Sequence, residues 1–221
     1  RSTLFPYTTL FRSGSCHIPS LRETNKVHLT IEELLYHQSG IVPSIPFYMN
    51  AIDEKSYTGK LYSRTQNATH PVRLDEHTYA RNDFKFFSHL ISETKKPGFT
   101  AEAAKHLYVH DSFKDIIMQE IKESKLGERG KYRYSCVNFI LLKMVVEQQT
   151  GQPMDKLLQT HFFDRLGART TTYNPLHKMD TMVIVPTEND EFIRRQLLRG
   201  YVHDEAAANY QIGRASCRER V

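Results

Sequence analysis

Tyr132-Arg-Tyr-Ser-Cys-Val-Asn-Phe139, running on into Ile140-Leu-Leu-Lys-Met-Val-Val-Glu-Gln-Gln149, is the stretch on which the reading of this chain turns. Val137, Ile140, Leu141, Met144 and Val145 recur at three and four residues, and Leu142 and Val146 widen the stripe. That spacing predicts a largely buried helix over 134–149. Gly151 and Pro153 punctuate its end. A second amphipathic helix is expected behind them, with Met154, Leu157, Leu158, Phe162 and Leu166 on one face and Gly167 closing it.

Working back toward the N-terminus, Leu29-Thr-Ile-Glu-Glu-Leu-Leu-Tyr36 opens another helix. Thr30 can cap it, Glu33 stands three residues on to complete a capping box, and Leu29 can staple to Leu34. His37-Gln-Ser-Gly40 ends it, with Gly40 placed for a left-handed turn. From Ile41 to Pro97-Gly98 the chain is polar and rich in turn formers, and reads as an elaborated loop region. Thr100 to Glu123 is expected to be helical in two pieces broken near Asp111. Further on, Thr181 to Val185 is expected as a short strand that Pro186 ends, and Glu191 to Leu198 as a last helix.

The two ends distort the bulk statistics. Thr3 to Ser13 can be back-translated as a common sequencing-library adapter, and the reverse complement of that adapter encodes Ile212 to Val221 residue for residue. Residues 1–13 and 212–221 are therefore expected to be artefacts and are set aside from fold reasoning, as a fusion scar is. The full chain carries 30 basic and 25 acidic residues. Without Arg1, Arg12, Arg214, Arg218, Arg220 and Glu219, residues 14–211 carry 25 basic and 24 acidic groups. A balance so near neutrality removes the electrostatic case for a nucleic-acid partner, and none is expected. Cys217 goes with the tail, which leaves Cys16 and Cys136, too few for a disulfide framework. No apolar run approaches the roughly 20 residues that span a bilayer.

Several blocks now stand in order. The Thr-capped Leu-Leu helix with His37-Gln-Ser-Gly40, the Tyr134-Ser-Cys-Val-Asn138-Phe139 block, Thr150-Gly-Gln-Pro-Met154, Leu166-Gly167, Pro186-Thr-Glu188 and Gly200-Tyr-Val-His-Asp-Glu205 resemble the serine β-lactamase-related, penicillin-binding-protein-like hydrolases. Within that family the long insert between His37 and Tyr134 is most similar to the module fused to some glycoside hydrolase family three proteins. The resemblance implies an α+β, β-lactamase/transpeptidase-like fold over residues 14–211, truncated and represented mostly by its helical lobe.

It also implies a chemistry in three parts. A serine in Ser-x-x-Lys attacks a carbonyl, because one helical turn sets the lysine amine beside the hydroxyl. A tyrosine from a second motif relays the proton, and a third motif lines the acyl site. Tyr134 matches the relay tyrosine. Cys136 stands where the family's usual Tyr-x-Asn form has a polar amide, which places amide recognition in doubt. Asn138, His37, Ser39, His203 and Glu205 are further family-matched positions for substrate binding or for holding loops. The resemblance implies no cofactor and no metal, a small-molecule or peptidoglycan-type substrate, and a periplasmic or extracellular parent.

The nucleophile motif is missing ahead of His37. The one literal Ser-x-x-Lys, Ser92-Glu-Thr-Lys95, follows the His37 block instead of preceding it, and Lys96-Pro97-Gly98 cannot continue a helix. Ser39 and Ser135 are not in Gly-x-Ser-x-Gly. His106 and His110, four apart on an expected helix, lack a third ligand at sensible spacing. Two function classes stay open: an inactive fragment of a serine hydrolase acting on amide or ester bonds (β-lactam, D-Ala peptide or small ester), and a non-catalytic cell-wall-binding accessory module of a glycosidase.

Overall fold

The computed structural model describes residues 18–205 and Ala208. Both adapter-like peptides, Cys16 and Cys217 lie outside the described residues. Helices and strands coexist, so the architecture is α+β. The chain divides into two units, residues 1–45 with 117–167 and residues 46–116 with 168–221.

The first unit grows from local signals. Thr30 accepts a hydrogen bond from the Glu33 amide while the Glu33 carboxylate accepts from the Thr30 amide, so the expected capping box forms and starts helix α1, Ile31–Leu35. Helix α2, Phe113–Glu123, keeps only the second of the two pieces expected there. Its end is held by Lys26, whose buried ammonium donates to the carbonyls of Lys122 (3.2 Å) and Ser124 (2.6 Å). A cation at a helix C-terminus meets the carbonyls left without partners there. Burial pushes the Lys26 amine below its ordinary value.

Helix α3, Cys136–Thr150, is the long buried element expected from the apolar stripe. It starts two residues later than the periodicity suggests and ends on Gly151 at φ +65°. Val137, Ile140, Leu141 and Val145 are buried, and α1 packs on α3. Helix α4 is shorter than expected. It runs only over Met154–Leu158, then loosens into a π turn over Gln159–Phe163, and Phe162 and Leu166 face solvent.

The second unit is built of short antiparallel ladders. Ten strands are described: β1 Ile52–Asp53, β2 Tyr62–Ser63, β3 Val72–Arg73, β4 Tyr79–Ala80, β5 Lys85–Phe86, β6 Ile91–Ser92, β7 Ala101–Ala104, β8 Leu107–Val109, β9 Pro186–Asp190 and β10 Gln196–Arg199. They pair as β1 with β5, as β2-β4-β3, as β6-β8-β7 and as β9 with β10. The region expected as loops therefore holds hairpins. Ile52, Leu61, Val72, Ala80, Phe84, Phe192 and Ile193 form its main core.

Three expectations are corrected here. Residues 101–109 form the β7–β8 hairpin, with His106 at φ +59° in its turn, so His106 and His110 do not share a helix. Thr181–Val183 is a 3-10 turn, and Pro186 opens strand β9 where it was expected to end a strand. Pro is compatible with a first strand position because no ladder donor is needed there. Residues 191–195 form a turn that the Asp190 carboxylate closes by accepting from the Phe192, Ile193 and Arg194 amides, Arg195 stands at φ +52° where a right-handed helix cannot continue, and Gln196–Arg199 then pairs as β10.

Candidate active site

In the first unit, the His37 loop and the Tyr134 block lie side by side. The Gly127 amide donates to the Gly40 carbonyl (2.7 Å), Gly130 to Gln38 (2.8 Å) and Arg133 to His37 (2.8 Å), while Ile41 bridges Leu126. Arg129 ties the same loop to α1: its guanidinium donates to both Glu33 oxygens, at 2.8 and 2.7 Å, and to the His28 carbonyl. Burial alone would raise the Glu33 carboxyl, but Arg129 and the Thr30 amide and hydroxyl outweigh it and hold it below its ordinary value. The capping carboxylate thus serves a helix start and a loop at once.

Gly40 is required at its position. It sits at φ +75°, and a Cβ there would lie 2.5 Å from the Gly127 carbonyl oxygen. Gly40→Ala combines left-handed strain with a collision against backbone and is expected to cost about 2–4 kcal/mol. Gly59, at φ +88° with nothing near its missing Cβ, isolates the strain alone. Gly59→Ala should cost about 1–2 kcal/mol. Urea unfolding of the two variants checks this, and equal losses would show that the Gly127 contact yields without cost.

A buried hydrogen-bond lock joins the two motifs. The Ser39 hydroxyl donates to Asn138 Oδ1 (2.7 Å) and accepts from the Ile41 amide. Asn138 Nδ2 and the Ser135 amide both approach His37 Nδ1 at 3.2 Å. Two N–H groups on one ring nitrogen make Nδ1 the acceptor and place the imidazole proton on Nε2. The Ser135 hydroxyl donates to the Val42 carbonyl, and the Cys136 amide donates to that of Pro43. Ser39, Ser135 and Asn138 are all buried. Asn138 spends both ends of its amide inside the protein.

Above this lock the surface is aromatic. The His37 ring lies 4.7 Å from Tyr134, 5.4 Å from Phe139 and 6.0 Å from Tyr132, centroid to centroid. Tyr134 is 59% exposed and stands two residues ahead of α3, on the extended Ser135 cap. Its hydroxyl has no hydrogen-bond partner among the described residues. The Cys136 sulfur lies 3.4 Å from the Pro43 carbonyl. Five of the positions expected as site residues, His37, Ser39, Tyr134, Cys136 and Asn138, therefore come together in one unit.

His203 and Glu205 belong to the second unit, where an arginine organises them. Arg194 is buried and donates to Asp190 (2.6 Å), to the Val202 and His203 carbonyls (both 2.6 Å) and to Glu188 (3.2 Å). Glu188 also meets His203 Nδ1 at 2.9 Å. Burial raises the Glu205 carboxyl, and Arg194 only partly offsets it. Neither Arg129 nor Arg194 was read as a site residue. Arg194 with Asp190 four residues before it was the one visible cue, hidden by the helix expected there.

Ser92-Glu-Thr-Lys95 forms a turn: the Ser92 hydroxyl donates to the Thr94 carbonyl and accepts its amide. Its lysine is not one helical turn from the serine. Among the described residues no group of His, Cys, Asp and Glu could hold a metal ion, and no helix is long and apolar enough to cross a membrane.

Comparison with known proteins adds the following. The family model described as Beta-lactamase matches residues 15–183. A protein of Escherichia coli strain K12 named "Putative D-alanyl-D-alanine carboxypeptidase" is 32% identical over 121 residues, half of this chain and 28% of its own length. One of the same name from Salmonella gallinarum is 33% identical over 107 residues, 42% of this chain and 25% of its own. The chain thus spans about a quarter of the length of these relatives. A solved beta-lactamase/D-alanine carboxypeptidase from Pseudomonas syringae covers 91% of this chain and 39% of its own, at 16% identity and a TM-score of 0.42.

Proposed function

This chain belongs to the beta-lactamase family, and from that premise we propose that residues 14–211 are part of a serine hydrolase that acts on amide or ester bonds through an acyl-enzyme. The substrate class is a β-lactam, a D-Ala-type peptide or a small ester. The observation that carries this reading is the lock of His37, Ser39, Ser135 and Asn138, which fixes the backbone on either side of Tyr134 and leaves its phenol open to solvent.

In this reading Tyr134 is the relay. Its oxygen takes the proton from the attacking serine hydroxyl as the serine–acyl bond forms, and returns a proton to the departing nitrogen or oxygen as the old bond breaks. His37 packs on the ring and sets its direction. Ser39 and Asn138 hold the loop to the helix and do not touch substrate. Cys136, where relatives of the Tyr-x-Asn type carry an amide, leaves recognition of the substrate amide to other groups. His203 and Glu205 are loop-holding residues of the second unit.

The Ser-x-x-Lys segment belongs to the parent protein, ahead of the His37 block, and the terminal peptides 1–13 and 212–221 are adapter translation. The near-neutral charge of residues 14–211 supports a small or peptidic partner over a nucleic acid. A peptidoglycan-type substrate places the parent in the periplasm or outside the cell.

Labelling by a fluorescent penicillin tests the reading. The 221-residue chain is expected to remain unlabelled, while the gene product carrying Ser-x-x-Lys ahead of residue 14 is expected to label covalently. Covalent labelling of the 221-residue chain, or none of the longer one, would sink it.

A further inference from the structure

The hairpins of residues 57–80 border an open, solvent-facing cleft that the proposed acyl transfer does not use. Its volume of about 770 Å³ lies within the roughly 300–1,000 Å³ of small-molecule pockets. Lys60, Arg64, His70 and His77 line it with the hydroxyls of Ser63 and Thr78, and no carboxylate is in its lining. Among the described residues neither Lys60 nor Arg64 has an ion-pair partner.

No acid lines the cleft, although Asp75 and Glu76 directly precede the lining His77 in the chain. Asp75 accepts the His77 amide at 2.7 Å, and that bond, followed by the Thr78 hydroxyl, holds its carboxyl below the ordinary range. Glu76 does not line the cleft. Glu54 stands in an adjoining groove that shares Lys60 and Tyr62. The lining itself thus carries two permanent cations and no carboxylate.

The frame is fixed before any ligand arrives. His70 Nε2 meets the Lys60 carbonyl at 2.9 Å and its Nδ1 meets the Thr69 hydroxyl at 2.9 Å, so this imidazole is a strut between two loops. Asn67 Oδ1 accepts the Thr69 and His70 amides and closes the turn beneath it. The Tyr62 hydroxyl is held by that of Tyr48 at 3.0 Å. Lys60, Arg64 and His77 remain for a ligand. Exposed cations without partners favour an anion, since neither charge must leave a partner to meet it.

We propose that this cleft binds a small oxyanion carrying two or more negative charges, gripped by Lys60 and Arg64 with His77 as the adjacent donor. Guanidinium and ammonium suit carboxylate and phosphate alike. Citrate and inorganic pyrophosphate, titrated separately into the 221-residue protein at low salt, distinguish the two chemistries by calorimetry and by amide shifts in NMR.

Saturable binding of at least one is expected, with shifts centred on residues 60–64 and 77–78. Lys60→Gln with Arg64→Gln should weaken it at least about tenfold, and Lys55→Gln, outside the cleft, should leave it unchanged. Citrate alone assigns a carboxylate ligand, and pyrophosphate alone a phosphate. The amide shifts of the unaltered protein locate the site without relying on any variant. No saturable binding of either anion, shifts elsewhere, or a double variant that binds within about twofold of the original overturns the proposal. The lining of the cleft shares no residue with the Tyr134 block, so none of these outcomes tests the proposed acyl transfer.

Discussion

Tyr134→Phe, made in the protein that carries Ser-x-x-Lys ahead of this domain, is expected to slow acylation by about 10²–10⁴-fold, the range that a positioned proton-transfer group contributes. Stability should scarcely change. The phenol is more than half exposed and its hydroxyl has no partner among the described residues, so removing one oxygen leaves no buried group unsatisfied. The ring keeps its packing on His37 at 4.7 Å. Stopped-flow acylation with a chromogenic β-lactam, alongside thermal unfolding, separates the two effects. An unchanged acylation rate would remove Tyr134 from the relay, and a large fall in unfolding temperature would make it a packing residue.

Arg194→Ala should behave in the opposite way, costing about 3–5 kcal/mol of stability in the second unit, as breaking a buried pair does. The Arg194 side chain is 1% exposed, and its partner Asp190 only 4%. Without the guanidinium, the Asp190 carboxylate keeps its three amide donors but loses its countercharge. The Val202 and His203 carbonyls lose their donors in the same step. Arg194→Lys restores charge but not the planar fork that reaches four partners, so it should recover only part of the loss. Urea unfolding measures the free energy, and limited proteolysis around residues 200–205 reports whether the His203 segment is released. A loss under about 1 kcal/mol would show that other contacts hold that segment.

The two arginines explain why the site was only half legible. Arg129 reaches Glu33 across 96 positions, and Arg194 reaches the backbone of Val202 and His203 through a hairpin that was expected to be a helix. Neither partner can be inferred from spacing. The two-residue ladders of the second unit were unreadable for a related reason: alternation needs four or more residues to show. Ala101-Glu-Ala-Ala104 has strong helix formers, yet it pairs with Leu107–Val109 because a sheet neighbour outweighs intrinsic propensity.

What the sequence determined by itself was whatever depends on near neighbours. The Thr30–Glu33 capping box, the apolar stripe of helix α3, the left-handed Gly40, the helix end at Gly151 and the order of motifs that marks the family all act within a few residues or by position along the chain. Only the tertiary structure decided that Asn138 faces inward to Ser39 and His37, and that Tyr134 faces out. Those bonds close between residues about a hundred apart. Their geometry exists only after α1 and α3 have packed, because burial is what makes an unpartnered amide costly and so selects the one arrangement that satisfies it.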